Sequence, residues 1–344
     1  MAGPEGIRFH IALTGWIAIC VVSREASEIS REEYLEMRNY LEFINKPGLT
    51  TIKTEEGDIF DCVDVNEQPA LDHPALKHHI VQYVVASLSG LAGGTYQGTQ
   101  VSINVWNPQV KQGETFSLAQ LWIINGQGQN LNTIEVGWNV YPGLYGDSAT
   151  HLFVYCTADN YRSTGCYNLF CSGFVQFSRT ITPGIRLPKI SSFGGTQEDI
   201  TLLAFWDEGT QNWWLGYHET QSSSFVWVGY WSGSLFKALV KYTNRIDWGG
   251  EVVGDTFGTY PQMGNGHFPA EGYKKTAYMN QILYVDKNFT LRDVPNNIVK
   301  TQTRPKCYKI QNEGKGSTRF GRYFFFGGPG GRCAQVVAWE DASE

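Results

Sequence analysis

The sequence predicts an all-β protein in which a large antiparallel β-sandwich follows a small α+β unit of one helix and one hairpin. Aromatic residues reach 14% of the 344 positions while charged residues reach only 17%, and 38 glycines provide turns. Short runs of β-branched and aromatic residues follow one another from residue 101 onward, with turn residues between them. Their spacing is typical of a β-sandwich, and the length suits one large domain plus a smaller one.

The first 23 residues predict a signal peptide. Arg8 precedes an apolar run over residues 11–22, and Ser23 offers a small residue for cleavage. The run is too short to span a bilayer comfortably, but it has the length of a signal-peptide core. We therefore expect a secreted protein; a buried N-terminal segment is the alternative.

The next segment predicts a helix and then a hairpin. Ser30 and Glu33 form a capping box, and apolar residues follow at helical spacing, namely Tyr34, Met37, Leu41 and Ile44. Two short strands then flank a turn over residues 55–58. The stretch over residues 72–98 combines a proline, paired histidines and glycines, and it predicts a junction between this unit and the sandwich.

The sandwich itself is predicted from successive strand-like runs. They read VSINVW, SLAQLWIIN, TIEVGWNVY, HLFVYC, FVQF, TLLAFWD, NWWLGYHE, FVWVGYW and AYMNQILYVD. Apolar and polar residues alternate along several of them, as expected of strands with one face in a core.

The cysteines predict two disulfides and an oxidising compartment. The predicted pairs are Cys166 with Cys171, which closes a short loop, and Cys307 with Cys333, which brackets a turn-rich segment. Cys62 and Cys156 are then single buried thiols. The spacings match no zinc pattern, so we expect no metal site. If the chain is secreted, Asn288 in Asn-Phe-Thr is a glycosylation candidate.

Charge and motifs exclude several function classes. The net charge of -6 comes without a basic stripe, so nucleic acid and anionic membranes are not expected as partners. The sequence contains no Gly-rich phosphate loop, no His-Glu-x-x-His and no nucleophile elbow. We expect no cofactor.

Two glutamates stand in unusual settings. Glu135 lies in the middle of TIEVGWNVY, on a face with Thr133, Gly137 and Asn139, opposite an apolar face. Glu251 follows paired glycines in DWGGEVVG, and such glycines permit a bulge or close backbone approach. The alternatives are a water-facing glutamate in the first case and an ordinary turn with a surface glutamate in the second.

The two carboxyls would become chemically useful if they shared one face. Two close carboxyls cannot both ionise easily, so one pKa rises and the pair can hold a proton and a water. Such a pair can activate water and protonate a leaving group. Gln120 could donate a hydrogen bond to a developing oxyanion, although a structural bond within the sheet is the alternative.

Several stretches together resemble the plant neprosin family of glutamic peptidases. They are NTIEVGWNVYPGLYGD, TADNYRSTGCYNLFC, DWGGEVV and MGNGHFPAEGY for its catalytic domain, and residues 45–79 for its activation peptide. The resemblance implies a propeptide and linker over residues 24–85 and a β-sandwich peptidase over residues 86–344. It also implies that Glu135 and Glu251 are the catalytic pair.

The activity implied by the resemblance is endopeptidase cleavage at acid pH, with a preference for the bond after proline. The expected partners are protein or peptide substrates and the chain's own propeptide, which would act as an intramolecular inhibitor. The expected location is extracellular, with the cell wall or the vacuole as candidate sites. Tryptophans could wall a proline pocket, although most are expected in the core; they are Trp138, Trp213, Trp214, Trp227 and Trp231. Two other functions stay open: a glycoside hydrolase using the same carboxylates, and a catalytically silent cell-wall binding module.

Overall fold

The computed structural model confirms an all-β protein with very little helix. It describes residues 50–53, 59–62, 81–89, 94–111, 115–171, 173–219, 224–255, 258–296, 298–317 and 320–332. The predicted signal peptide and the predicted helix after Ser30 lie outside these ranges. Within them, no helix is long and apolar enough to cross a membrane.

Twenty strands make up the described fold. The first ten are β1 Thr50–Lys53, β2 Ile59–Cys62, β3 Val81–Ser89, β4 Gly98–Asn104, β5 Phe116–Asn125, β6 Asn132–Val140, β7 His151–Thr157, β8 Cys166–Tyr167, β9 Phe174–Gln176 and β10 Asp199–Asp207. The others are β11 Asn212–Glu219, β12 Val226–Ser232, β13 Arg245–Val253, β14 Thr259–Tyr260, β15 Ala277–Val285, β16 Leu291–Asp293, β17 Val299–Gln302, β18 Lys309–Lys315, β19 Arg322–Gly327 and β20 Gly331–Arg332.

Helical structure in the described ranges is confined to single turns. An α-helical turn, α1, covers Pro142–Tyr145 and begins at a proline, whose fixed φ suits the first helical position. It ends at Gly146, whose φ of 74° is the left-handed conformation that glycine adopts without penalty. The 3₁₀ turns are Gly128–Asn130, Gly233–Leu235 and Pro269–Glu271.

Two antiparallel sheets form the sandwich. The smaller sheet has seven strands in the order β17-β3-β13-β5-β6-β7-β8. The larger sheet runs β18-β19-β15-β4-β10-β11-β12-β9, with β16 paired to β15 as its ninth strand. The strands β14 and β20 form a separate pair. The strands β1 and β2 pair antiparallel.

The core between the sheets is rich in tryptophan. Trp138 and Trp248 come from the smaller sheet, Trp213 and Trp231 from the larger one, and each is at most 1% exposed. Burying an indole is favourable only if its N–H finds an acceptor. Trp138 donates to the Asn104 carbonyl at 3.0 Å, Trp213 to the Leu239 carbonyl at 2.7 Å and Trp248 to the Thr99 hydroxyl at 3.1 Å.

Two features of the smaller sheet bear on the sequence predictions. The stretch predicted as a junction contains β3, a nine-residue strand paired with β13 along its whole length, so the boundary predicted between residues 85 and 86 falls inside a strand. The alternative of a turn at the paired glycines is wrong, because β13 runs unbroken from Arg245 to Val253. The register with β5 is also continuous there.

The structure supports the predicted cysteine chemistry where it describes it. Cys166 and Cys171 form a disulfide. Cys156 is a free thiol, as predicted, but it is partly exposed instead of fully buried. Cys307 is disulfide-bonded, but Cys333 lies outside the described residues, so that pairing stays a prediction. The predicted glycosylation residue, Asn288, lies in an exposed turn where its backbone N–H donates to Asp286.

Candidate active site

Glu135 and Glu251 lie on the same face of the smaller sheet, on the two strands that flank β5. Glu135 of β6 is paired with Trp122, and Glu251 of β13 is paired with Leu118. Gln120 lies between those two positions on β5. Since alternate residues of a strand share a face, all three side chains point away from the sandwich core.

The register also sets the spacing of the two glutamates. Their backbones are two strand spacings apart across the sheet, roughly 10 Å, and four residues apart along β5, roughly 13 Å. Both side chains must therefore lean toward Gln120 to approach one another.

Glycine lets β6 and β5 approach closely beside Gln120. A Cβ on Gly137 would lie 1.9 Å from the Ala119 carbonyl oxygen and 2.7 Å from the Gln120 Cα. No side chain fits there without moving the strand. Gly137 is therefore a requirement of the pairing that places Glu135 beside Gln120.

The second of the paired glycines serves the core. A Cβ on Gly250 would lie 2.8 Å from the Met263 sulfur and 2.9 Å from the Phe326 ring. The close approach predicted from the glycine pair is thus present, and at Gly250 its cause is packing between the sheets. Glu251 follows directly, on the opposite face of β13.

Glu135 is buried and held by three donors. It is only 6% exposed, so the alternative of a water-facing side chain is wrong. The Tyr161 hydroxyl donates to Oε1 at 2.6 Å and the Thr133 hydroxyl to the same oxygen at 2.8 Å. The Gln120 amide donates to Oε2 at 3.2 Å. Hydrogen bonds of this kind favour the ionised carboxylate.

The two carboxyls differ in their surroundings and therefore in acidity. Burial raises the pKa of Glu135, while its three donors act in the opposite direction. Glu251 is partly exposed and accepts none of the hydrogen bonds resolved among the described residues. Burial, followed by the nearby Glu135 charge, raises the pKa of Glu251 to about 8. Glu135 is therefore the carboxyl whose ionised form is better stabilised.

Gln120 binds the predicted catalytic glutamate instead of a backbone group of the sheet. Its side chain is fully buried, and its Oε1 has no hydrogen-bond partner among the residues that the structure describes. Its amide nitrogen donates to Glu135. A buried polar atom left unpaired is costly, and such atoms are expected where a substrate completes the bonding.

Two apolar clusters border the carboxyls. Phe116, Leu118, Phe153 and Val253 form one, and Tyr141, Tyr155 and Tyr167 pack against it. The second consists of Val85, Trp122 and Ile124 with Leu131 packed against it. In the first cluster the Tyr167 ring is 5.1 Å from the Tyr155 ring and 5.8 Å from the Tyr141 ring.

The tryptophans considered for a proline pocket lie elsewhere. Trp138, Trp213 and Trp231 are core residues, in accordance with the expectation that most would be. Trp214 and Trp227 belong to the larger sheet and contact each other at 6.4 Å between ring centroids. None of the five projects from the site face of the smaller sheet, so the aromatic side chains beside the carboxyls are those of the tyrosine-rich cluster and Trp122.

Sequence reasoning missed most of the residues around Glu135. Thr133 was on the predicted face of β6, and its two-residue spacing from Glu135 was the available signal. Tyr161 sits in a loop, where no periodicity reports which way a side chain points. The tyrosines of the first cluster come from separate elements, and only the strand pairing brings them together.

Comparison with known proteins gives one family. A family model described as Neprosin matches residues 113–329, and a model described as Neprosin activation peptide matches residues 51–138. Among solved structures, the chain is similar to scytalido-glutamic peptidase with a transition state analog inhibitor, at 10% identity and a TM-score of 0.40 over 72% of this chain and 98% of that one.

Two further solved structures give similar values. Scytalido-glutamic peptidase with a peptide based transition state analog matches at 9% identity and a TM-score of 0.38, with 72% and 98% of the two chains covered. SCP-B, a member of the Eqolisin family of peptidases in complex with the tripeptide Ala-Ile-His, matches at 9% identity and a TM-score of 0.37, with the same coverage.

Proposed function

Because the chain belongs to the neprosin family, we propose that it is a secreted endopeptidase of the glutamic type that is made as a zymogen. The family match and the activation-peptide match support a peptidase with a propeptide that inhibits it. The apolar run over residues 11–22 supports secretion. The observation that carries the catalytic part is the pair Glu135 and Glu251, buried to different extents on one face with Gln120 between them.

In the proposed mechanism Glu135 is the general base. Its three donors stabilise the carboxylate, so it is the group that ionises first as the pH rises. It accepts a proton from a water, whose oxygen attacks the carbonyl carbon of the scissile bond. The distance between the two glutamate backbones provides room for that water and the peptide.

Glu251 is the general acid. Its pKa of about 8 keeps it protonated throughout the acid range. It donates its proton to the leaving amine nitrogen as the carbon–nitrogen bond breaks, and the product carboxyl carries the oxygen of water. We assign to the second amide hydrogen of Gln120 the donation to the oxyanion that forms before the bond breaks.

The aromatic cluster beside the pair supports a preference for a flat apolar residue. Tyr141, Tyr155 and Tyr167 present ring faces and edges next to Leu118, which pairs with Glu251. Ring stacking suits proline, whose side chain is apolar and rigid. Proline at the cleaved bond is therefore part of the proposal.

The proposal is tested by peptide cleavage at acid pH after acid incubation to allow maturation. Wild type, Glu135→Gln and Glu251→Gln are compared on a proline-containing peptide, with Glu219→Gln as the control because Glu219 is an exposed partner of Lys189. We expect cleavage after proline by wild type and the control, and a loss of at least about a hundredfold in kcat/KM in the other two. Full activity in either of those two variants would refute the assignment of Glu135 and Glu251 as the catalytic pair.

The same samples distinguish the other functions considered from the sequence. Release of reducing sugar from cell-wall polysaccharide, without peptide cleavage, would favour a glycoside hydrolase. Intact peptide and intact polysaccharide after full maturation of a folded protein would favour a binding module.

A further inference from the structure

We propose that Tyr161 is a positioning residue that selects Glu135 as the general base, and that the loop over residues 158–165 is built around Asp159 to hold it there. The inference rests on the proposed function for its catalytic meaning. Its structural part concerns one hydrogen bond, from the Tyr161 hydroxyl to Glu135 Oε1 at 2.6 Å. It is the shortest of the three bonds that Glu135 accepts.

The loop is organised by a single carboxylate. Asp159 accepts hydrogen bonds from the backbone N–H groups of Arg162, Ser163 and Thr164 at 3.2, 2.9 and 3.2 Å. It also accepts from the hydroxyls of Ser163 and Thr164. One side chain therefore ties together every residue from 162 to 164, immediately after Tyr161.

The start of the loop is fixed by Thr157, the last residue of β7. Its hydroxyl oxygen accepts from the Tyr161 N–H at 2.9 Å and from the Asp159 N–H at 3.3 Å, and the hydroxyl donates to the Asp159 carboxylate at 3.2 Å. Tyr161 is thus held by its backbone from one side and by the turn after it from the other. Because β7 pairs with β6, this arrangement connects Tyr161 rigidly to the strand of Glu135.

The backbone of the loop is strained at the residue that matters. Asn160 and Tyr161 have φ values of 64° and 60°, in the left-handed region. Asparagine tolerates this conformation, but a bulky aromatic residue adopts it only when the surroundings require it. Such strain clusters at functional sites, and here it turns the tyrosine toward the carboxyl.

Acidity supports the same assignment. Burial, and then the charge of Glu135, raises the pKa of Tyr161 well above its usual value, so the phenol keeps the proton that it donates. Burial raises the pKa of Asp159, but donors from Ser163 and Thr164 outweigh it and lower that pKa overall. Asp159 therefore keeps its charge, and the loop its shape, at moderately acid pH.

The groups that face Glu135 from neighbouring elements set the background for a pH test. They are Glu251 from β13, Tyr155 from β7, Tyr167 from β8 and Tyr161 from the loop, with the Cys156 thiol on the core side of β7. The tyrosines and the thiol have no ionised form in the acid range. Glu135 and Glu251 are therefore the groups whose titration a change at Tyr161 can move.

The test is Tyr161→Phe, which removes the hydroxyl and keeps the ring. Without this donor the ionised Glu135 is less stable, so its pKa rises and the acid limb of kcat/KM moves to higher pH by about one unit. We expect the rate at the optimum to fall less than the rate well below it, with KM nearly unchanged. An acid limb at the wild-type pH would overturn the inference.

Asp159→Ala tests the organising carboxylate. It should move the acid limb in the same direction, and adding it to Tyr161→Phe should produce no further shift, because both act through one hydrogen bond. Asp207→Ala is the matched control, since Asp207 accepts from the N–H and hydroxyl of Thr210 in a similar turn on the larger sheet. Additive shifts, or an equal shift in the control, would contradict the role of Asp159.

A readout without catalysis separates this inference from the proposed function. The titration of carbon-13-labelled glutamate carboxyls, assigned with Glu135→Gln, reports the pKa of Glu135 in wild type and Tyr161→Phe. If the pKa of Glu135 is higher in Tyr161→Phe than in wild type but the wild type cleaves no peptide, the role of the Tyr161 hydrogen bond stands and the proposed peptidase activity is rejected. An unchanged pKa in a folded Tyr161→Phe protein would reject the contact, whether or not the protein cleaves peptides.

Discussion

Replacing Glu251 with glutamine should remove most of the pH dependence of stability between about pH 5 and pH 8. In the folded protein, burial and the Glu135 charge raise the pKa of Glu251 from 4.5 to about 8. The folded state therefore holds a proton that the unfolded chain releases above about pH 4.5. The contribution of Glu251 to the free energy of unfolding is therefore largest below that pH and is lost as the pH rises through about 8.

The size of the effect follows from the difference between the two pKa values. A change from 4.5 to about 8 corresponds to at most about 5 kcal/mol at 1.36 kcal/mol per pH unit. Glu251 is partly exposed, so we expect wild type to lose about 2 to 3 kcal/mol from this residue between those pH values. Glutamine has nearly the same shape and no charge, so the variant should lose much less.

The assay is urea unfolding, followed by tryptophan fluorescence, at about pH 5 and pH 8 for wild type, Glu251→Gln and the Glu219→Gln control. We expect the control to follow wild type and Glu251→Gln to be the more stable protein at the higher pH. Glu135, whose pKa is also raised by burial, leaves a slope of the same sign in the variant. Equal losses in wild type and Glu251→Gln would refute the assignment of Glu251 as a carboxyl that is protonated in the folded state.

Further changes test other parts of the structure. Gly137→Ala should cost about 3 kcal/mol or more in urea unfolding, because its Cβ would strike the neighbouring strand, while Gly143→Ala in α1 should be nearly neutral. Thr133→Val removes one hydrogen-bond donor to Glu135. It should move the acid limb of kcat/KM to higher pH, by less than Tyr161→Phe does. The Cys156 thiol, whose pKa is raised to about 12 by burial and then by Glu135, should resist alkylation at pH 8 until the protein is unfolded. Trp227→Ala should leave kcat/KM unchanged, because Trp227 belongs to the larger sheet; a large rise in KM would restore it as a pocket residue.

The strands and the catalytic candidates could be predicted because period-two alternation reports directly on a half-buried sheet. The run around Glu135 became β6 within one residue of its predicted ends, and its apolar positions form part of the core. Alternation also placed Thr133, Glu135 and Gly137 on one face. It could not report that this second face is buried as well, because polar residues with little bulk are equally typical of a solvent-facing strand.

What the sequence could not supply is long-range pairing. The strand β3 within residues 72–98 was not predicted, because it pairs with β13, a strand more than 150 residues later in the chain. The position of Tyr161 depends on a loop whose conformation is fixed by hydrogen bonds to Asp159 and Thr157 rather than by a repeating pattern. The glycines beside Glu251 predicted that another group lies close to the β13 backbone. Only the structure shows that this group at Gly250 is the Phe326 ring.

The most direct test of a paired-carboxyl peptidase is the pH dependence of kcat/KM for the matured wild type on a proline-containing peptide, from about pH 2 to pH 9. The proposed roles predict a bell-shaped profile, with an acid limb from ionisation of Glu135 and an alkaline limb from loss of the Glu251 proton. The variants Glu135→Gln and Glu251→Gln should lose most of the wild-type kcat/KM at every pH. A profile that keeps both limbs and its height in either variant would contradict the account.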